Sequence, residues 1–224
     1  MKTASRFCLA TAVTFLCAFV CEARGIATSG RPTPDTTLSA ALAATPNEQR
    51  GVKLFNKHCA QCHQSDAQGV ADRQVPALAG QQYEYLLKQL VDFIDFERAN
   101  DTMHGVLTQR GTLDAQAIAD IVAYVANLPM NTSPSKGDGN ALAAGKKIFF
   151  DYCASCHDRT AEGNADLWVP NLRGQHYSYL VKQMLMMARA QRSNISDDMH
   201  RMFGTYAPEE LEAVADYLTR WPAD

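Results

Sequence analysis

Two pentapeptides carry residue types able to do chemistry, Cys59-Ala60-Gln61-Cys62-His63 and Cys153-Ala154-Ser155-Cys156-His157. Cys-x-x-Cys-His is the attachment pattern of a c-type haem. Two thiols one helical turn apart can add to the two vinyl groups of the porphyrin as thioethers. The adjacent histidine is then carried beneath the iron as its proximal ligand. Three other chemistries use similar residues. A thioredoxin-like redox pair would sit in βαβ surroundings, and no such pattern is visible. A four-cysteine zinc site wants two knuckles about 15–20 residues apart, whereas the two histidines here are separated by 157 − 63 = 94 positions. Disulfides within each motif are the third alternative. Of seven cysteines, Cys8, Cys17 and Cys21 fall in the apolar leader, so any disulfide among the rest would have to use the motifs themselves.

The sixth ligand must come from further along. Met103 follows His63 by 40 residues and Met199 follows His157 by 42, both in Asp-x-Met-His contexts. A thioether suits ferrous iron and raises the reduction potential. The expected pairs are therefore His63 with Met103 and His157 with Met199, the methionines lying in the loop between the second and third helices. His104 and His200, each next to its methionine, are rival ligands, as is Met202 in the second half. The carbonyls of Pro76 and Pro170, each 13 residues after its histidine, are placed to accept the imidazole Nδ1–H and fix the ring.

These residues sit in a tandem repeat. Val75–Leu90 matches Val169–Met184 at a constant offset of 94, through Pro76/Pro170, Gly80/Gly174, Tyr83/Tyr177, Tyr85/Tyr179 and Gln89/Gln183. Arg98 and Asn100 still pair with Arg192 and Asn194. Met103 and Met199 are 96 apart, so two residues are inserted after Asn194. Each module reads as three helices: 47–58, 81–98 and 114–128 in the first, 141–152, 175–192 and 208–220 in the second. Tyr83, Leu86, Leu87, Leu90 and Ile94 recur at helical spacing. Pro208 and the glutamates after it suit a helix start. No strand-like alternation competes, and the fold class is all-α. Modules of about ninety residues bury little apolar surface by themselves, which leaves room for a bulky apolar cofactor at the centre of each.

Residues 1–23 have a basic opening, an apolar stretch from Phe7 to Val20 and a small residue at Ala23, the pattern of a secretory signal peptide. That stretch falls short of the ~20 apolar residues of a spanning helix. Residues 24–46 are small, polar and proline-containing, a flexible lead-in without a core of its own. The modules then occupy 47–129 and 141–224, joined by a Ser-, Pro- and Gly-rich linker at 130–140. Beyond the leader, residues 24–131 carry 9 basic and 11 acidic side chains and 132–224 carry 10 and 12, so each half sums to −2. Without a basic run, nucleic acid is excluded as a partner.

Taken together, "CAQCH…VPALAGQQYEYLLKQL…RANDTMHG" and its repeat resemble the dihaem cytochromes c of the cytochrome c4 family over roughly residues 47–222. The resemblance implies two class I cytochrome c domains, each wrapped around one covalent haem c and related by a pseudo-twofold axis. By motif it makes Cys59, Cys62, Cys153 and Cys156 the attachment sites, His63 and His157 the proximal ligands, and Met103 and Met199 the distal ones. It departs from the family where a second methionine often follows the distal one; His104 and His200 stand there instead. The implied role is that of a periplasmic electron carrier and not an enzyme. A quinol-oxidising complex or a dehydrogenase would be donor, a terminal oxidase acceptor, and peripheral membrane association is compatible with the role. The alternatives are a dihaem oxidoreductase, peroxidase-like or thiosulfate dehydrogenase-like, and a cytochrome subunit fixed in a larger dehydrogenase. A thiosulfate dehydrogenase of that kind uses a cysteine as axial ligand, and no cysteine outside the two motifs is left for that place beyond the leader.

Overall fold

The computed structural model describes residues 34–109 and 113–221. The expected signal peptide and the first part of the lead-in lie outside the described residues. Among the described residues every regular element is helical, and the extended backbone amounts to two isolated bridges, Val70 to Val75 and Asn164 to Val169.

The first module runs α1 (Pro34–Ala43), α2 (Glu48–His58), α3 (Ala60–His63), α4 (Tyr83–Ile94), α5 (Asp101–Thr108) and α6 (Ala115–Ala126). The second runs α7 (Leu142–Ile148), α8 (Ala154–His157), α9 (Tyr177–Ala188), α10 (Asp197–Phe203) and α11 (Pro208–Leu218). In each module the first long helix crosses the last, α2 on α6 and α7 on α11. Phe55 and Phe149 are fully buried at these crossings with Ile118, Val122 and Leu218.

Each last helix also presents one buried carboxylate to the start of its module. Asp120 accepts from the Asn47 N–H at 2.8 Å, from Gln116 at 2.9 Å and from Arg50. Asp216 accepts from the Gly137 and Gly139 N–H groups at 3.0 and 2.7 Å and from Arg220 at 2.8 Å. Burial alone would raise the Asp120 carboxyl, but the hydrogen bonds from Arg50, Asn47 and Gln116 outweigh it and hold the group below its ordinary value. Asp216 is held low in the same balance, chiefly by Arg220 and the Gly139 N–H.

Three sequence expectations change. Residues 34–43 form a helix within the stretch read as a flexible lead-in. Leu38 and fully buried Ala41, one turn apart, pack on the first module's core, and α1 lies against α4 and α6. The second helix of each module ends four residues early. Phe96 and Ala190 take left-handed backbone (φ 60° and 52°), and Arg98 N–H turns back to the Asp92 carbonyl at 3.0 Å. The methionine loops are helices, α5 and α10, because Asn100 and Ser196 each supply a side-chain cap to their first turn.

Candidate functional site

The attachment motifs form one turn of helix, and α3 and α8 bring the two cysteines and the histidine to one side. In each motif one thiol is partly buried, Cys59 or Cys153, and the other exposed, Cys62 or Cys156; none is disulfide-bonded. Burial, followed by the neighbouring cysteine, pushes Cys59 up to about 12 and Cys153 up to about 11. Redox-active Cys-x-x-Cys thiols are depressed instead; Cys59 and Cys153 are shifted the other way.

His63 and His157 are 6% and 9% exposed. Nδ1 of His63 lies 3.1 Å from the Pro76 carbonyl, and Nδ1 of His157 lies 3.2 Å from that of Pro170. A carbonyl only accepts, so Nδ1 carries the proton and Nε2 keeps a free lone pair. Burial favours the neutral ring in both cases, partly opposed by the proline carbonyl. The loop that delivers each carbonyl folds back tightly: Gly69 N–H reaches the His63 carbonyl at 3.0 Å and Gly163 N–H that of His157 at 2.8 Å. Both glycines have φ 75°, and a Cβ on Gly69 would stand 2.5 Å from the Pro76 carbonyl. Only glycine fits there.

Each histidine faces a cavity of about 1220 Å³ that runs through both modules, larger than the roughly 300–1,000 Å³ of an ordinary ligand pocket. Phe55, Leu86 and Ile118 line its first end, and Leu180, Phe203 and Leu218 its second. Met103 and Met199 line it too. Both occupy the third position of their helices, with N–H groups held by Asn100 at 3.1 Å and Ser196 at 3.2 Å. Met202 also lines the cavity, but its repeat equivalent is Val106 (202 − 96 = 106). His104 and His200 are not among the lining residues. The His104 ring lies on Phe96 with centroids 3.8 Å apart, and its Nδ1–H donates to the Phe93 carbonyl at 3.1 Å.

The residues present fit haem. Each end offers two thiols beside a cavity, a neutral imidazole with an oriented lone pair, a thioether across an apolar space, and a volume that side chains leave unfilled. The four cysteines, both histidines and both methionines are all brought to this cavity.

Sequence reading missed what joins the modules. Gln175 clasps the backbone of Ala77, accepting from its N–H at 3.0 Å and donating to its carbonyl at 2.9 Å. Gln81 clasps Asn171 in the same way, at 2.9 and 2.8 Å. Between the clasps, Arg98 donates to Tyr179 and Gln183, both at 2.7 Å, while Arg192 donates to Tyr85 at 3.2 Å and Gln89 at 3.3 Å. The linker is tied down as well: His176 accepts from Ser135 N–H at 3.2 Å and donates to the Gln68 carbonyl at 2.8 Å. The available signal was identical polar residues recurring at offset 94 with no part in the attachment motif.

The cytochrome c family model matches twice, over residues 48–129 and 142–221. A cytochrome c4 from Pseudomonas aeruginosa is 33% identical over 170 residues, covering 71% of this chain and 82% of its own. A thiosulfate dehydrogenase electron acceptor from Stutzerimonas stutzeri is 29% identical, covering 76% of this chain and 82% of its own. Reduced recombinant cytochrome c4 from Pseudomonas stutzeri superposes with a TM-score of 0.68 at 28% identity, covering 78% of this chain and 98% of that one. The chain therefore belongs to the cytochrome c family, among the dihaem electron-transfer cytochromes c4, with one haem c held covalently by each module.

Proposed function

We propose that the chain is a periplasmic shuttle that accepts electrons from a quinol-oxidising complex or a dehydrogenase and delivers them to a terminal oxidase. The leader pattern at 1–23 supports export. The likeness to a thiosulfate dehydrogenase electron acceptor supports a dehydrogenase as donor. No helix among the described residues is long and apolar enough to cross a membrane, which is compatible with a carrier that meets membrane complexes from outside.

In this reading Cys59, Cys62, Cys153 and Cys156 are the thioether sites, His63 and His157 the proximal ligands, and Met103 and Met199 the distal ones. The observation that carries it is the matched pair in each module, a carbonyl-oriented histidine and a helix-capped methionine lining one cavity. Bound haem supplies a one-electron couple, Fe(III)/Fe(II), whose potential a thioether ligand raises. The protein does the rest. Pro76 and Pro170 hold the imidazole rings; with haem bound, the apolar lining would keep water from the centre, and a histidine and a methionine at each iron would leave no place for a substrate there. All four described cysteines are committed to attachment, which argues against a cysteine-ligated, thiosulfate dehydrogenase-like enzyme.

The test is the absorption spectrum of the oxidised holoprotein. A weak sulfur-to-iron band at the red end of the visible is expected. Met103→Ala and Met199→Ala should each remove about half of it, and Met202→Ala should leave it intact. A wild-type spectrum without the band would assign ligation to His104 and His200 and overturn the methionine reading.

A further inference from the structure

Across the module boundary the Arg-Tyr-Gln clusters repeat residue for residue, and among the buried carboxylates beside them there is one exception. Arg98, Tyr85 and Gln89 answer Arg192, Tyr179 and Gln183, and both guanidiniums are buried, at 8% and 7% exposure. Asp92, 6% exposed, is the exception: its equivalent is Met186 (186 − 92 = 94). Asp92 accepts from Lys88 at 2.5 Å and from Asn194 Nδ2 at 2.7 Å. Lys88 has its own counterpart in Lys182, so the lysines do not cancel the difference. The first module holds one buried carboxylate that the second lacks.

The two-residue insertion belongs to the same break in symmetry. Asn100 caps α5 in the first module, whereas Ser196 caps α10 in the second. Asn194, released from capping, donates instead to Asp92 and to Gln89, the latter at 3.0 Å. The surroundings are otherwise cationic. Desolvation would raise the Tyr85 phenol, but Arg192 and Arg98 outweigh it and hold it below its ordinary value. Among the described residues, Asp92 is thus the one carboxylate hydrogen-bonded into a node built on two guanidiniums.

We propose that Asp92 separates the potentials of the two haems, holding the first module's below the second's, so that an electron entering the first is drawn to the second. The proposal rests on the reading of each module as a His/Met carrier. A buried negative charge favours Fe(III) over Fe(II). Asp92 acts first on its own module, because α4 carries it beside Gln89, Leu90 and Phe93, which line the cavity. At an effective dielectric constant of about 20, a unit charge would change a one-electron equilibrium tenfold if it lay within about 12 Å of the iron. The equal charge totals of the two halves conceal this, because what matters is where a charge is buried and not the sum.

The experiment is a potentiometric titration of the holoprotein, with the two couples assigned to their modules by NMR of the haem methyl groups. In the wild type the lower couple is expected in the first module. Asp92→Asn keeps an oxygen for Asn194 and should raise that couple, reducing the inter-haem equilibrium constant about tenfold, or about 59 mV for a one-electron couple. Asp92→Met, which copies the second module, should do the same. Met186→Asp, which would give Lys182 the partner that Lys88 has, should lower the second couple and close the gap from the other side. It also decides the matter if the Asp92 variants fail to fold. A gap that widens, or stays within about threefold of the wild type in every variant that folds, overturns the proposal alone. Fewer than two one-electron couples in the wild type overturns the carrier reading, and the proposal with it.

Discussion

Replacing Gln175 by alanine should weaken the first module through a side chain that belongs to the second. Gln175 holds the N–H and C=O of Ala77 and accepts from His176 N–H at 3.0 Å. Ala77 is 8% exposed, so water replaces the lost partner poorly. Leaving a buried donor or acceptor unsatisfied costs about 1–3 kcal/mol, and two such groups near the middle of that range give about 3–4 kcal/mol. Freed glutamine rotamers return up to about 1.5–2 kcal/mol. The net expectation is about 2 kcal/mol, or about 4–8 °C in Tm for a protein of this size. Ala77 follows Pro76, whose carbonyl orients His63, so the first module's spectrum should change while the second's stays as it was. Calorimetry of the holoprotein measures the stability, and module-resolved visible spectra or NMR measure the cross-boundary effect. A loss below about 0.5 kcal/mol, or a spectral change confined to the second module, would refute the reasoning.

Gln81→Ala is the mirror experiment and should disturb the second module through Asn171 by a similar amount; calorimetry checks it. Gly69→Ala meets both a left-handed φ and a Cβ 2.5 Å from the Pro76 carbonyl; it should cost roughly 1–3 kcal/mol and broaden the first module's haem resonances. Asp120 predicts an acid dependence. Its folded-state pKa lies below the ordinary 3.8, so the folded state binds the proton less tightly than the unfolded one. Its contribution is intact above about pH 3.8 and is lost as pH falls through the lower folded value. The stability gap between wild type and Asp120→Asn should therefore be present at pH 7 and close in strong acid, as read by denaturant midpoints across pH.

Much of the site was legible in the sequence because its chemistry is local. Two thiols and a histidine within five residues declare attachment, and the 13-residue step to Pro76 and Pro170 pointed to the carbonyls that hold the imidazoles. Met103 and Met199, which line the cavity, stood out by their repeat context. Their helices were not, because α5 is nucleated by an Asn100 cap that also reads as loop chemistry. The early ends of α4 and α9 carry no residue signal either, since Phe96 and Ala190 adopt positive φ without being glycine. The α1 helix was hidden by its composition: small polar residues look unstructured until Ala41 finds the groove between α4 and α6. The boundary was the least legible. Across the boundary, Arg98 and Gln175 bond to partners 81 to 98 positions away, and no periodicity encodes that.

The central claim is that each module closes its haem on both faces so that only charge passes through it. Adding carbon monoxide to the fully reduced holoprotein tests this most directly. The account predicts no change in the reduced absorption bands at either module at neutral pH. Rapid carbon monoxide binding at one of them would contradict it, showing an open coordination position and placing the chain with the dihaem oxidoreductases.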